Sequence, residues 1–319
     1  MQASAVAHPN VALIKYWGKR DTALNIPATG SLSLTLGGLE TRTTVRFAPE
    51  LQADTLLLNG RAEAKAQRGA VRCLNALRAI ANVGQYAAVE TTNNFPTGAG
   101  LASSASGYAA LVTAAAAALG LPAGAADQVN IARQGSGSAP RSLFPGIVVL
   151  EATAHEVRCR SLAAPDDWPL HVVVAVTSRA EKAVGSTAGM ELSRNTSPYY
   201  QAWLDSHPAD MAAAIQCVRQ RDFAQLAELA EHSCLKMHAL AMSTRPPLVY
   251  WNSVTLAALE RVRELRAAGV PVFFTIDAGP QLKAVCLPEA AATVRAALAD
   301  CPGVLEVLDS PLGAGARVL

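Results

Sequence analysis

Residues 95–107, Phe-Pro-Thr-Gly-Ala-Gly-Leu-Ala-Ser-Ser-Ala-Ser-Gly, constrain this chain more than any other stretch. They join a strand-like run, 86–92, to a helix-like run, 103–119. The small residues Gly98, Ala99 and Gly100 let backbone N–H groups approach a ligand closely, and Leu101 and Ala102 lead into the helix. A helix N-terminus adds unpaired N–H groups and a positive dipole end at the same spot. That combination traps anions, above all a nucleotide phosphate. Ser103, Ser104 and Ser106 supply hydroxyls for phosphate oxygens or for a phosphate-bound Mg²⁺. No Gly-Lys-Ser/Thr ending is present, so this is not a Walker A loop. No second strand with an acidic end follows about 20 residues on, which argues against a dinucleotide fingerprint. A plain capped helix after a glycine turn has the same pattern and remains open.

Three further segments carry chemistry. In 10–21, an apolar run flows into Lys15, Lys19 and Arg20, so the Lys15 stem is expected to be buried and its ammonium aimed at an anion. In 135–142, Gly-Ser-Gly-Ser-Ala-Pro-Arg-Ser, glycines and serines supply donors and Arg141 supplies a fork suited to carboxylate or phosphate. In 273–280, Asp277 stands at the end of an apolar strand before a glycine turn, a placement as common in turn capping as in catalysis. No Ser-His-Asp or zinc pattern stands out.

Composition sets the frame. With 319 residues, 51% of them apolar, the chain suffices for two globular domains of about 150 residues each. A net charge of +2 gives no field that favours nucleic acid or membrane, so an anionic ligand must be met by local charge. The cysteines are scattered without a C-x-x-C pair, as free thiols in a reducing cytosol would be. The first residues lack a basic and an apolar segment, so no signal peptide is expected.

Hydrophobic spacing predicts strands at 31–36, 41–47 and 55–58, an Asn59-Gly60 turn, and a helix at 65–83 facing inward through Val71, Leu74, Leu77 and Ile80. The 103–119 helix follows, with a stripe of Tyr108, Leu111, Val112, Ala115 and Leu119. Next come a helix at 125–133, a hairpin at 147–160 and a buried strand at 170–176. After a polar stretch, 177–196, helices are expected at 208–241 and at 254–268, the latter capped by Ser253. Strands at 270–276, 282–287 and 304–308 surround a helix at 288–300. The irregular alternation predicts an α+β protein with domains 1–180 and 181–319.

Taken together, Lys15-Tyr-Trp-Gly-Lys-Arg, Asn93-Asn-Phe-Pro-Thr, Gly100-Leu-Ala-Ser-Ser-Ala, Gly135-Ser-Gly-Ser-Ala and Asp277-Ala-Gly-Pro resemble the signatures of the mevalonate diphosphate decarboxylases of the GHMP kinase superfamily. The resemblance implies an N-terminal domain of the ribosomal-protein type with a left-handed βαβ unit and a ferredoxin-like C-terminal domain. It implies a cytosolic homodimer that uses ATP and Mg²⁺ to turn mevalonate 5-diphosphate into isopentenyl diphosphate. Asp277 would sit at the 3-hydroxyl, Lys15 would keep it ionised, and Arg141 would hold the substrate carboxylate. Tyr16, Lys19, Asn25, Ser136 and Ser138 would bind the substrate, and the 98–106 loop the ATP phosphates. Close relatives that act on mevalonate 5-phosphate, or phosphorylate O3 without decarboxylation, are the alternative. Pro140, Pro145, Gly98, Gln281 and the Thr29-Gly30-Ser31 stretch depart from the usual pattern.

Overall fold

The computed structural model describes residues 1–95, 101–122, 126–153 and 155–319. The chain opens with β1 (Gln2–Ala7) and β2 (Asn10–Ile14), a small hairpin of β3 (Lys19–Asp21) and β4 (Ile26–Pro27), then β5 (Ser31–Thr35) and β6 (Thr41–Phe47). β7 (Thr55–Leu58) and β8 (Arg61–Ala62) are joined by Asn59 and Gly60, both at positive φ, which is the turn an Asn-Gly pair predicts. α1 (Ala64–Ala81) crosses to β9 (Ala87–Asn93), which runs parallel to β7. α2 (Ser103–Ala118), α3 (Ala126–Gly135), a 3₁₀ turn at Ala139–Leu143, β10 (Ile147–Ala152) and β11 (Val157–Ala163) follow. Then come β12 (His171–Val176), α4 (Ser186–Thr196), α5 (Tyr200–Gln220), α6 (Phe223–Met242) and α7 (Ser253–Ala267). β13 (Val272–Ile276), β14 (Leu282–Cys286), α8 (Ala291–Ala299), β15 (Glu306–Pro311) and β16 (Arg317–Val318) complete the chain.

Besides the two-stranded β3-β4 hairpin, three sheets organise the described strands, in the orders β16-β1-β6-β9-β7-β8, β11-β10-β5-β2 and β13-β14-β12-β15. Along β6 buried residues alternate with more open ones, whereas β2, β5, β13 and β14 are buried at every position and carry their loops out of the interior. One hydrophobic cluster joins Val11, Leu34 and Ile147 of the second sheet to Val172, Phe273 and Val285 of the third, with Met211 and Ala214 of α5 between them. The two halves therefore share a core.

The structure departs from the sequence reading at several points. β12 pairs with β14 and β15, so sheet membership changes between β11 and β12. An apolar strand does not disclose which sheet it joins. The polar stretch after β12 contains α4, and α5 begins at Tyr200 and runs through Pro208. α7 is capped by Asn252, in a capping box with Thr255, not by Ser253. α1 buries Ala70, Cys73, Leu74 and Leu77, leaving Ile80 half exposed. α2 has no single apolar stripe: its alanines, Ala109, Ala110, Ala114 and Ala115 among them, are fully buried and thin enough for close packing on all sides.

Candidate active site

A cleft of about 980 Å³ is lined by the loop after β2, the N-terminal turns of α2, the 135–141 segment, the face of α1 that carries Lys65, Arg68 and Arg72, and the loops that carry Lys182 and Asp277. At its floor, Lys15 leaves the end of β2 and Asp277 the end of β13, 262 positions apart, and their side chains meet at 2.6 Å. Lys15 also donates to the Ala12 carbonyl at 2.7 Å, and its backbone N–H to Ser233 Oγ of α6 at 2.9 Å. The other oxygen of Asp277 lies 3.3 Å from Lys283 Nζ. Lys15 and Lys283 are almost wholly buried, while the Asp277 side chain keeps 26% of its surface open to the cleft. Burial raises the Asp277 carboxyl pKa, but Lys15 and Lys283 more than reverse this and hold it well below the usual carboxylate range. Burial in turn lowers the Lys283 pKa, against the pull of Asp277.

Arg141 projects from the 3₁₀ turn, where Pro140 occupies a first-turn position and its missing N–H breaks no internal bond. Phe144, ahead of Pro145, is extended as a residue before proline should be. The guanidinium is 4% exposed; it donates from Nε to Asn10 Oδ1 at 3.0 Å and from Nη1 to Ser31 Oγ at 2.7 Å. Asn10 is oriented by Ser142 Oγ and the Ser138 carbonyl. Among the described residues no carboxylate forms an ion pair with Arg141, and burial lowers its pKa. A buried cation held by neutral partners calls for an anionic ligand.

Beside Arg141, Gly137 lets Tyr16 approach: a Cβ there would stand 2.5 Å from the Tyr16 hydroxyl. Burial pushes that phenol up to about 12, partly offset by Arg141, so Tyr16 stays a neutral donor. Lys19 is buried in the cleft wall, and burial lowers its pKa against the pull of Glu191. Ser104, Ser136 and Ser138 form a run of hydroxyls with separations of 3.4 and 3.1 Å, linking the start of α2 to the 135–141 segment. Asn25, at φ 55°, lines the cleft and donates its amide to the Arg133 carbonyl, leaving Oδ1 without a protein partner.

The helix start is left open by the side chains around it. Ala102 stands at the N-cap in the left-handed region, and no side chain caps the first turn. Ala102, Ser103 and Ser104 line the cleft. Leu101 and Ser106 do not: Leu101 packs in the shared core, and Ser106 bonds Thr41 Oγ1 at 2.6 Å on the buried face of α2. Helical periodicity explains the division, since residues 104, 107, 108 and 111 face the cleft and 105, 106 and 109 face inward. Gly98, Ala99 and Gly100 lie outside the described residues.

Sequence reasoning missed four groups. Asn10 and Ser31 seat Arg141, and Lys283 seats Asp277. Lys182 donates to the Ala278 carbonyl at 2.7 Å, and burial lowers its pKa to about 8, with Lys283 and Lys65 adding and Asp277 opposing. The available signal for Lys283 is its place inside the apolar run Leu282-Lys-Ala-Val-Cys286. No group of three or more His, Cys, Asp or Glu suited to a metal ion is found among the described residues. The Ser103 and Ser104 hydroxyls in the cleft are hard oxygen donors of the kind that would hold an Mg²⁺ together with phosphate oxygens.

Two family models match the chain. The diphosphomevalonate decarboxylase-like N-terminal domain covers residues 7–163, and the mevalonate 5-diphosphate decarboxylase C-terminal domain covers residues 172–304. A diphosphomevalonate decarboxylase of Ganoderma lucidum is 40% identical over 311 residues, spanning 88% of this chain and 76% of its own. The crystal structure of mevalonate diphosphate decarboxylase from Staphylococcus aureus superposes with a TM-score of 0.93 at 36% identity, covering 100% of this chain and 98% of that one. A structure of MDDEF in complex with MVAPP, AMPPCP and magnesium gives a TM-score of 0.91 at 36% identity, covering 100% and 99%. The fold is thus that of the GHMP-kinase-like decarboxylases. With both halves matched in order and Lys15, Lys19, Ser104, Ser136, Arg141 and Asp277 lining one cleft, the chain belongs to the diphosphomevalonate decarboxylase family.

Proposed function

We propose that this chain catalyses the ATP-dependent decarboxylation of mevalonate 5-diphosphate, giving isopentenyl diphosphate, CO₂, ADP and phosphate. The observation that carries the reading is the position of Asp277: ionised between two lysines, open to a cleft that also holds a buried arginine with no ion-paired carboxylate among the described residues.

A tertiary hydroxyl leaves poorly, and its phosphate ester leaves well. Asp277 accepts a hydrogen bond from the 3-hydroxyl and turns its oxygen toward the γ-phosphorus. Its depressed pKa makes it a weak base, so its work is orientation more than proton abstraction, in keeping with the loose transition state of phosphoryl transfer. The new O3–P bond forms as the bond from the γ-phosphorus to ADP breaks, and the hydroxyl proton, made acidic once O3 is bonded to phosphorus, passes late to the Asp277 carboxylate and from there to solvent. The C3–O bond of the ester then breaks, and the electron pair of the C–CO₂⁻ bond becomes the new alkene as CO₂ departs. Arg141 holds that carboxylate; because the carboxylate loses charge as CO₂ forms, the arginine acts by positioning. Tyr16, Lys19, Ser136 and Ser138 take the diphosphate tail. Ser103, Ser104 and Lys182 take the ATP phosphates, and Leu56, Leu58, Val89 and Tyr108 offer an apolar wall to the base. Bound Mg²⁺ supplies charge neutralisation on the polyphosphate.

The same reading includes a homodimer in the cytosol, and the six free cysteines fit a reducing compartment. No described helix is long and apolar enough to cross a membrane.

ADP and CO₂ release measured side by side with mevalonate, its 5-phosphate and its 5-diphosphate tests the proposal. Equal release of both products from the 5-diphosphate is expected, falling roughly 10²–10⁴-fold in Asp277→Asn. Preference for the 5-phosphate, or ADP without CO₂, would replace it with one of the related activities.

A further inference from the structure

Lys283 belongs to no motif, and its place is unusual. It lies in the middle of β14, opposite Thr275 of β13 and Val174 of β12, and is 2% exposed. Strand alternation sends Leu282, Ala284 and Cys286 into the core beneath α7 and α8, and Lys283 to the opposite face with Val285. That face also carries Thr275 and, two positions on, Asp277. Lys15 holds one oxygen of Asp277 at 2.6 Å and Lys283 faces the other at 3.3 Å. One lysine neutralises one carboxylate. A second buried ammonium adds its own desolvation and repels the first. Phosphoryl transfer gives this second charge beside Asp277 a use. A lone aspartate would repel the anionic γ-phosphoryl group; joined to Lys15 the pair is neutral; joined to both lysines the cluster is positive.

We propose that Lys283 is a positioning residue that fixes the second carboxylate oxygen of Asp277 and turns the acceptor end of the cleft from neutral to cationic. The inference rests on the reading of Asp277 as the group at the 3-hydroxyl. With both oxygens held, the carboxylate plane is set, and the hydroxyl it orients points one way. The arriving phosphoryl group meets preorganised positive charge, the arrangement that stabilises such transition states most. Among the described residues, the charged and titratable groups that face Asp277 are Lys15 from the end of β2, Lys283 from β14, Cys234 and His238 from α6, Lys182 from the loop before α4, and Arg141 from the 3₁₀ turn. Lys15 remains in place when Lys283 is removed, so Asp277 stays ionised at neutral pH while losing half of its hold.

The test compares Lys283→Met and Lys283→Gln with wild type, using thermal melting to select folded protein. Steady-state kinetics with mevalonate 5-diphosphate and MgATP would be run beside ¹³C NMR titration of the aspartate carboxyls in unliganded enzyme. Both variants should lose about 10- to 100-fold in kcat. KM for mevalonate 5-diphosphate should change by less than about threefold, the mark of an interaction made in the transition state. The Asp277 carboxyl should titrate at a higher pH than in wild type, a change that a merely structural residue would not cause. Wild-type kcat with an unmoved titration in a folded variant overturns the proposal. So does Lys283→Gln with kcat restored, because it keeps a donor and lacks the charge. If Lys283→Met does not fold, Lys283→Gln carries the same measurements. Wild-type enzyme inactive on this substrate would count against the assigned reaction instead, and the carboxyl titration would still decide the contact.

Discussion

In the proposed reaction Arg141 binds the carboxylate through shape as much as charge. Its fork is seated by Asn10 and Ser31, both neutral, so the guanidinium plane is fixed before any ligand arrives. Arg141→Lys keeps the charge and loses the fork; kcat/KM for the substrate should drop by about 10-fold or more, since a hydrogen bond to a charged group is worth about 1.5–3 kcal/mol. Kinetics equal to wild type would separate Arg141 from the carboxylate. Lys182 sets a pH limit of a different kind. Its ammonium, lowered by burial to about 8, is charged below that pH and neutral above it. kcat/KM for ATP, which reports the free enzyme, should therefore fall as pH rises through 8, and Lys182→Met should remove that limb. A profile flat from about pH 7 to 9 would take Lys182 out of the phosphate site. Lys15, Asp277 and Arg141 stood out in the sequence because each sits within a dense motif. Lys182 and Lys283 did not, because a single lysine in a loop or an apolar strand has no local signature until the fold gives it a neighbour.

At the scale of elements, the glycines of the 135–141 segment matter for what they leave out. Gly137→Ala would drive a methyl group into the Tyr16 hydroxyl at 2.5 Å. KM for the substrate should rise by about tenfold, the cost of one hydrogen bond to a charged group, with little change in thermal stability; an unchanged KM would show that Tyr16 does not bind the tail. Most strands and helices were legible from spacing: β6 and β7 fall where alternation put them, and α1 and α2 begin and end within a residue or two of the pattern. α4 was not legible, because Ser186–Thr196 contains small and polar residues that make a helix only by packing Met190 and Ser193 against Trp17 and its neighbours. Nor was the cap of α7, where Asn252 and Ser253 are both good capping residues and only the backbone angles choose between them.

Across the whole molecule, the shared core and the ion pair between residues 15 and 277 tie the halves together. Calorimetry should record one unfolding transition rather than two. Two buried histidines add a pH dependence. Burial lowers His207 to about 4 and His238 to about 3, so both are neutral when folded and take up protons near 6.5 once unfolded. The unfolded chain thus binds more protons, and the stabilisation, complete above 6.5, is lost as pH falls toward 4. The transition midpoint should drop over that range, and His238→Phe should flatten the slope; a midpoint independent of pH would refute the assignment. Which sheet β12 joins was not legible in the sequence, because the strand is apolar at nearly every position and fits either sheet until its partners are known.

The span between residues 15 and 277 also bears on how the enzyme is made. On the ribosome, the chain delivers Lys15, Lys19 and Arg141 long before Asp277 and Lys283. Until then the nascent segment holds cations whose carboxylate has not been translated, so the ion pair at the floor of the cleft can close only once the β13–β14 hairpin has been made.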